Sequence, residues 1–250
     1  MKAMIFAAGL GTRLRPLTND RPKALVEVGG RTLLEITLAR LREFEIQEVI
    51  VNVHHFADMV VDYLNANKNF GMRIEISREQ ELLDTGGGLK KAAWFFLENS
   101  AGGDEAFVLH NVDVISTIDL NKMAAFHREH QALATLAVQQ RETSRYLLFD
   151  EQGQLCGRRA GRDGKSELVC EQDRSSLSAL AFSGVHVIST GIFPLLTETG
   201  EFSIIPAYLR LALQGENILA FRADKYYWRD MGRPENIVQA EKDSASRLHE

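Results

Sequence analysis

Up to about residue 130, short apolar runs alternate with segments of helical spacing, and the links between them are short. Lys2–Ala8 (KAMIFAA) has the continuous apolar character of a strand buried on both faces, and it ends at Gly9. Thr32–Phe44 places Leu34, Leu38 and Leu41 on one helical face. Glu48–Val53 reads as a strand, Phe56–Leu64 as a helix, Met72–Ser77 as a strand and Thr85–Leu97 as a helix. Ala106–Leu109 follows as a strand, then Asp119–His130 as a helix capped by Asp119. This alternation predicts an α/β fold with a doubly wound, mostly parallel sheet and helices on both faces. Ligands bind such sheets beyond the carboxyl ends of the strands. Gly9 and Asp113 both fall there and are expected to be neighbours.

The pattern then changes. Ala134–Gln139, Tyr146–Phe149, Gln154–Gly157, Glu167–Val169 and Ala179–Ser189 read as strands, with turns at Glu151-Gln152-Gly153 and Arg162-Asp163-Gly164. This is antiparallel material and predicts an inserted lid. Ser203–Gln214 reads as a helix, Ile218–Arg222 as a strand, and Pro234–Arg247 as a closing helix with Pro234 in its first turn. No linker rich in Pro, Gly or Ser interrupts the 250 residues, so one domain is expected.

Behind the first strand lies Ala7–Leu25, AAGLGTRLRPLTNDRPKAL, crowded with Arg13, Arg15, Arg21 and Lys23. The chain as a whole carries 29 Lys+Arg against 34 Asp+Glu, a net charge of −5, so no general basic field points to nucleic acid. The local cluster therefore stands out. A dinucleotide fingerprint fails because Leu14 stands where a third glycine is needed, and a P-loop fails because no Lys-Ser or Lys-Thr follows Gly11. What remains is a third way to hold phosphates. Gly9 and Gly11 let the N–H groups of Ala8, Leu10 and Thr12 approach an anion, and the Thr12 hydroxyl adds a donor. Arg13 can grip a phosphate bidentately, and Lys23 returns as a point charge.

This stretch resembles the signature of the sugar-1-phosphate nucleotidylyltransferases, the nucleoside-diphosphate-sugar pyrophosphorylases. The residues that carry the likeness are Ala7-Ala8-Gly9, Gly11-Thr12-Arg13, Pro16-Leu17-Thr18 and Arg21-Pro22-Lys23. Later motifs recur in order: Thr85-Gly86-Gly87-Gly88, Asn111-Val112-Asp113, Phe182-Ser183-Gly184 and Trp228-Arg229-Asp230-Met231-Gly232. The chain is most similar to the short bacterial members that join UTP or GTP to a sugar 1-phosphate, the muramate-type uridylyltransferases and the heptose- and mannose-type guanylyltransferases. The resemblance implies a nucleotide-binding half in residues 1–130 and a sugar-binding half with the closing helix in residues 131–250. No C-terminal hexapeptide β-helix is expected. It also implies NTP and sugar 1-phosphate as substrates, no nucleic-acid or membrane partner, a monomer or small homo-oligomer, and a role in cell-envelope polysaccharide supply.

Bringing two phosphate anions together is mainly a problem of charge, so positioning and electrostatics are expected to supply the catalysis. Mg²⁺ held by a few carboxylates suits it. Asp113 and Asp230 are the expected metal ligands, as the family's corresponding aspartates imply. Arg13 and Lys23 are the expected catalytic cations. Where the family has Asn-Gly-Asp, this chain has Asn111-Val112-Asp113. Valine does not adopt a positive φ cheaply, so either the backbone there is ordinary or the acceptor pocket is reshaped.

For the base, Glu81, Thr85 and Gly86 are candidates, with the glycines admitting a flat ring. For the sugar, Asn111, Glu171 and Gly184 are candidates. Many relatives have a lysine for the acceptor phosphate where this chain has Gln172; Arg174 or Lys165 are possible substitutes. The short chain and the triple glycine favour UTP with an amino-sugar phosphate, and GTP stays open. A nucleotide-sugar-dependent glycosyltransferase is the alternative, but its D-x-D motif would begin at Asn111 and leave the basic loop idle. A non-catalytic nucleotide-sugar binder would be expected to have lost the charged residues, and all four are present.

His54, His55 and His110 are expected to be packed or solvated rather than ligating, Trp94-Phe95-Phe96 to be core or an oligomer face, and Lys90-Lys91 to be a solvated face. Two cysteines are too few for a disulfide framework, which predicts a reducing cytoplasm. The N-terminus turns polar too soon for a signal peptide. The longest stretch free of charged residues, Ser175–Thr197, holds five serines, two threonines, two glycines and a proline, and reads as buried strands.

Overall fold

The computed structural model describes residues 1–98, 105–170 and 176–247. In chain order the main elements begin with β1 (Lys2–Phe6), β2 (Glu27–Val28), β3 (Arg31–Thr32), α1 (Leu33–Glu43), β4 (Glu48–Val53), α2 (Ala57–Ala66) and β5 (Arg73–Arg78). Then come α3 (Asp84–Lys91), α4 (Ala93–Leu97), β6 (Ala106–Asn111), β7 (Val114–Ser116) and α5 (Leu120–Glu129). The remainder is β8 (Ala134–Gln139), β9 (Arg145–Phe149), β10 (Leu155–Ala160), β11 (Ser166–Leu168), β12 (Ser178–Ser189), α6 (Ile204–Leu213), β13 (Ile218–Arg222), β14 (Trp228–Asp230) and α7 (Pro234–Arg247).

Ten strands form one sheet, with the path β11-β10-β9-β12-β6-β1-β4-β5, while β8 joins β12 to β13. The β6-β1-β4-β5 portion is parallel, as alternation with helices requires. The antiparallel strands expected as a lid extend this same sheet through β12. The Ser178–Ala181 end of β12 pairs with β9 and its Val185–Ser189 end with β6. A register break between Phe182 and His186 lets the strand serve both.

Alternation along the central strands explains the two-faced burial. Ala3 and Ile5 of β1, Val49 and Val51 of β4 and Val108 of β6 enter one core, which also takes Leu34, Leu38 and Leu41 of α1 and Met123 of α5. Met4, Ile50, Phe107 and Leu109 point the other way and meet Phe95 and Phe96 of α4 and Tyr208 of α6. Helices therefore cover both faces. Helix α1 is capped by the Thr32 hydroxyl accepting from Glu35 N at 3.1 Å, and α5 by the Asp119 carboxylate accepting from Lys122 N at 3.0 Å. Among the described residues, no helix is long and apolar enough to cross a membrane.

Candidate active site

The loop after β1 is pinned at its root by two buried polar side chains. Asn52, in β4, accepts from Ala7 N at 2.7 Å and donates to Glu79 Oε1 at 2.7 Å. The other Glu79 oxygen accepts from Leu83 N at 3.0 Å, so one carboxylate ties the loop to the start of α3. Neither residue stood out in the sequence. The signal for Glu79 was there: the alternation of β5 carries past Ser77, turning Ser77 and Glu79 inward and Arg78 and Gln80 outward.

Ala8 is buried, while Gly9, Leu10, Thr12 and Arg13 are exposed at the carboxyl end of β1. Gly11 has φ 64, a left-handed conformation that favours glycine. A side chain there would begin 3.0 Å from the Thr18 methyl and 3.2 Å from Lys23 Cβ, so the outgoing and returning arms of the loop touch at this point. Thr18 Oγ1 donates to Gly11 O at 2.8 Å and locks the contact. Gly9 is different: nothing lies within 4 Å of where its Cβ would stand. No contact within the protein calls for glycine there, whereas close approach of a ligand would.

The returning arm delivers Lys23, whose ammonium donates to Asp113 Oδ2, both side chains being largely buried. Asp113 lies in the turn between β6 and β7. Strand β7 pairs antiparallel with β14, setting Asp230 opposite Val114, and Met231 N donates to Asp113 O at 2.7 Å. This small two-stranded sheet brings the two aspartates together from positions far apart in the chain. Asp230 Oδ1 accepts from Gly232 N at 2.7 Å, and Asn236 of α7 donates to the Asp230 carbonyl at 2.6 Å. Burial, and then the negative charge of Asp113, hold the Asp230 carboxyl above the usual carboxylate range, with Lys23 opposing them. Arg13 closes the group. Its Nη2 and Asp230 Oδ1 lie 2.9 and 2.8 Å from where a Gly232 Cβ would stand. Gly232 thus makes room for these two side chains.

Two mutually repelling carboxylates with a lysine ammonium against them form a donor set that fits a hard divalent cation bound through few protein oxygens. Among the described residues no group of three His, Cys, Asp or Glu stands ready to hold a metal ion. Val112 between Asn111 and Asp113 is not among the residues of positive φ and is buried, its N–H donating to Phe6 O at 3.2 Å. The backbone conformation is ordinary, and valine is there as core.

A cavity of about 1040 Å³ opens over this cluster. Arg13, Asn111, Asp113, Asp230, Arg141, Arg159, Lys165 and Gly184 are among the residues that line it. Gly184 has φ 73 in the break of β12, and a Cβ there would stand 2.8 Å from Asn111 Nδ2, so these two sugar-site candidates meet. Glu171, with Gln172 and Arg174, lies outside the described residues. Glu81, Thr85 and Gly86 are not part of this cavity wall, although Asp84 is. Glu81 is exposed. Thr85 Oγ1 accepts from Ile204 N at 3.0 Å, and Gly86 N and Gly87 N donate to Phe202 O at 2.9 and 3.2 Å. The space over Gly86, Gly87 and Gly88 is filled by Phe202, the Gly200 carbonyl and Glu79. These glycines serve packing within the protein rather than the approach of a flat ring.

The residues set aside mostly behave as expected. His54 Nδ1 meets the Glu79 carbonyl at 2.9 Å, and Phe95 and Phe96 are core while Trp94 is exposed. Lys90 corrects the expectation of a solvated face, since its ammonium binds the Leu196 and Glu198 carbonyls at 2.7 and 2.6 Å. Cys156 and Cys170 are unpaired thiols. Burial first, then Cys170 beside it, pushes the Cys156 thiol up to about 12.

A nucleotidyl transferase family model matches residues 2–247, and the chain belongs to the sugar-1-phosphate nucleotidylyltransferase family. It is 35% identical over 248 residues to the N-acetylmuramate α-1-phosphate uridylyltransferase of Caulobacter vibrioides, covering 96% of this chain and 95% of that one. It is 30% identical over 243 residues to the mannose-1-phosphate guanylyltransferase catalytic subunit beta of Xenopus tropicalis, covering 95% of this chain and 63% of that one. The crystal structure of HddC from Yersinia pseudotuberculosis complexed with GMP-PN has the same fold, with a TM-score of 0.76 at 22% identity over 97% of this chain and 99% of that one. The reaction class follows: a nucleoside triphosphate and a sugar 1-phosphate give a nucleoside-diphosphate sugar and pyrophosphate.

Proposed function

We infer that this chain transfers uridylyl from UTP to the 1-phosphate of an amino sugar of the N-acetylmuramate kind, with Arg13, Lys23, Asp113 and Asp230 as its reaction centre. The observation that carries the reading is the meeting of these four side chains, three of which line one cavity while Lys23 is bound to one of the three, Asp113. The base and sugar rest on the 35% identical uridylyltransferase. Residues 1–130 take the nucleotide and 131–250 the sugar, and the two unpaired thiols support a reducing cytoplasm.

In this reading the backbone from Ala8 to Thr12 cradles the triphosphate, and the open space over Gly9 admits it. Arg13 grips the β- and γ-phosphates with parallel N–H donors. An oxygen of the acceptor phosphate attacks the α-phosphorus, a new P–O bond forms, and the bond to the β-phosphate oxygen breaks in line. Pyrophosphate leaves on Arg13. Lys23 lies between the two sides and offsets the repulsion of donor and acceptor as they close. Asp113 and Asp230 would hold Mg²⁺, which when bound neutralises phosphate charge. Asn111 and Gly184 meet the sugar.

The test is pyrophosphate release with each of four NTPs against a panel of sugar 1-phosphates, with Mg²⁺. UTP with N-acetylmuramate 1-phosphate is expected to lead. Release from no pair would sink the reaction, and a lead for GTP would sink the choice of base. Lys23→Ala and Asp113→Ala should each lose at least ~10²-fold in turnover while keeping the wild-type circular dichroism. Normal turnover in both refutes the assigned roles.

A further inference from the structure

One arginine that lines the cavity is in an unusual state. Arg141, just past β8, donates from Nη2 to the Phe182 carbonyl at 2.7 Å. The centre of its guanidinium lies 3.6 Å from the centroid of the Trp228 ring. Trp228 is fixed in turn, its Nε1 donating to the Ser183 carbonyl at 2.7 Å. A planar cation is thus clamped between a carbonyl and an indole face. No carboxylate neutralises it: among the described residues Arg141 makes no ion pair, and its Nε is shut from solvent without a partner. The Ser183 hydroxyl, also buried, lacks a partner too.

The other cations of the cavity wall are committed or exposed. Arg158 pairs with Glu167 at 2.6 Å, Arg159 donates to the Gly161 carbonyl at 3.2 Å, and Lys165 is exposed. Burial pulls the Arg141 pKa below its ordinary value, and the charge of Asp230 partly opposes that shift. The guanidinium is therefore close enough to Asp230 to feel its charge. Asp230 follows Trp228 by two residues in the same strand, so the indole that carries Arg141 and the reaction-centre carboxylate move as one piece. A half-buried cation without an ion-pair partner is costly, and the natural remedy is an anion that arrives with a ligand.

We propose that Arg141 binds the phosphate of the sugar 1-phosphate and orients it for attack. This rests on the reaction read in the preceding subsection. It supplies the cation that Gln172 does not. The Trp228 face and the Phe182 carbonyl fix the plane of the fork, so two of its N–H groups can meet two phosphate oxygens while a third oxygen stays free to attack.

The test begins with the wild type, whose pyrophosphate release checks the reaction itself. Arg141→Met keeps contact with Trp228 and removes the charge, while Arg141→Lys keeps the charge without the fork. Arg141→Met should raise KM for the sugar 1-phosphate at least ~10-fold and lower kcat, leaving KM for UTP within about twofold. Arg141→Lys should recover part of the loss, and guanidinium added to Arg141→Ala should recover part as well. An unchanged acceptor KM, or an equal rise in the KM for UTP, overturns the proposal. So does a penalty seen with N-acetylmuramate 1-phosphate but absent with N-acetylglucosamine 1-phosphate, because the anion would then be the sugar's carboxylate. If the wild type releases no pyrophosphate, the reaction has failed separately. Calorimetric titration with glucose 1-phosphate then still tests the anion site: weaker binding to Arg141→Met than to wild type supports it, and equal binding overturns it.

Discussion

To hold the proposed Mg²⁺, Asp230 must ionise where burial and a second carboxylate both oppose ionisation. Its pKa is raised in the folded chain, so its favourable contribution is present below the unfolded value of 3.8 and is lost as pH rises through the folded value. At neutral pH the ionised group therefore weakens the metal-free fold. Asp230→Asn keeps an oxygen for Gly232 N and removes the charge. It should melt at a higher temperature than wild type at pH 7 in EDTA, while turnover falls at least ~10²-fold. Adding Mg²⁺ should raise the melting temperature of wild type more than that of the variant. Scanning fluorimetry decides it, and a lower melting temperature for the variant in EDTA contradicts the assignment. The same pair shows what the sequence revealed at this scale. Gly11, Lys23, Asp113 and Asp230 were legible because each belongs to a short motif with its own spacing. Asn52 with Glu79, and Arg141 with Trp228, were not, because each pair meets only through tertiary folding across 27 and 87 intervening steps of chain.

Element α3 separates what periodicity can predict from what it cannot. Its helical run was legible, as were the strands that flank it, since apolar spacing registers burial directly. The purpose of its three glycines was not, because a missing side chain carries no pattern. Gly86 and Gly87 donate to Phe202 O, and the Gly200 carbonyl closes over Gly87. This welds α3 to the segment that leads into α6. Alanine is intrinsically better in a helix than glycine by about 1 kcal/mol. The steric conflict at Gly87 should exceed that gain, because backbone rather than a flexible side-chain end stands in the way. Gly87→Ala should therefore lose stability, by about 1–3 kcal/mol in urea unfolding, as overpacking typically costs. A variant as stable as wild type would mean that the weld is loose enough to admit a methyl group.

Within the main sheet the two portions join where β6 of the parallel portion meets β12 of the antiparallel portion. Two buried histidines lie on this seam and face opposite sides of the sheet, His110 of β6 across from Val185 and His186 of β12 across from Leu109. Burial lowers the pKa of His110 from 6.5 to about 4 and that of His186 from 6.5 to about 3. Both are neutral in the fold, and His186 Nδ1 meets the Tyr208 hydroxyl at 2.9 Å. A histidine with a lowered folded pKa contributes stability above its unfolded value. Between pH 6.5 and about 4 the unfolded chain binds more protons than the folded one, so stability falls with pH over that window. Acid should therefore attack the join, and because the sheet is continuous there, both halves should unfold in one transition. His186→Gln keeps a polar partner for Tyr208 and cannot titrate. Its stability, though lower at pH 7, should decline less steeply than that of wild type between pH 6.5 and pH 4. Urea unfolding at a series of pH values, followed by circular dichroism and tryptophan fluorescence together, measures both effects. Equal slopes in variant and wild type would remove His186 as the source of acid lability, and separate transitions by the two probes would show that the seam does not bind the halves into one unit.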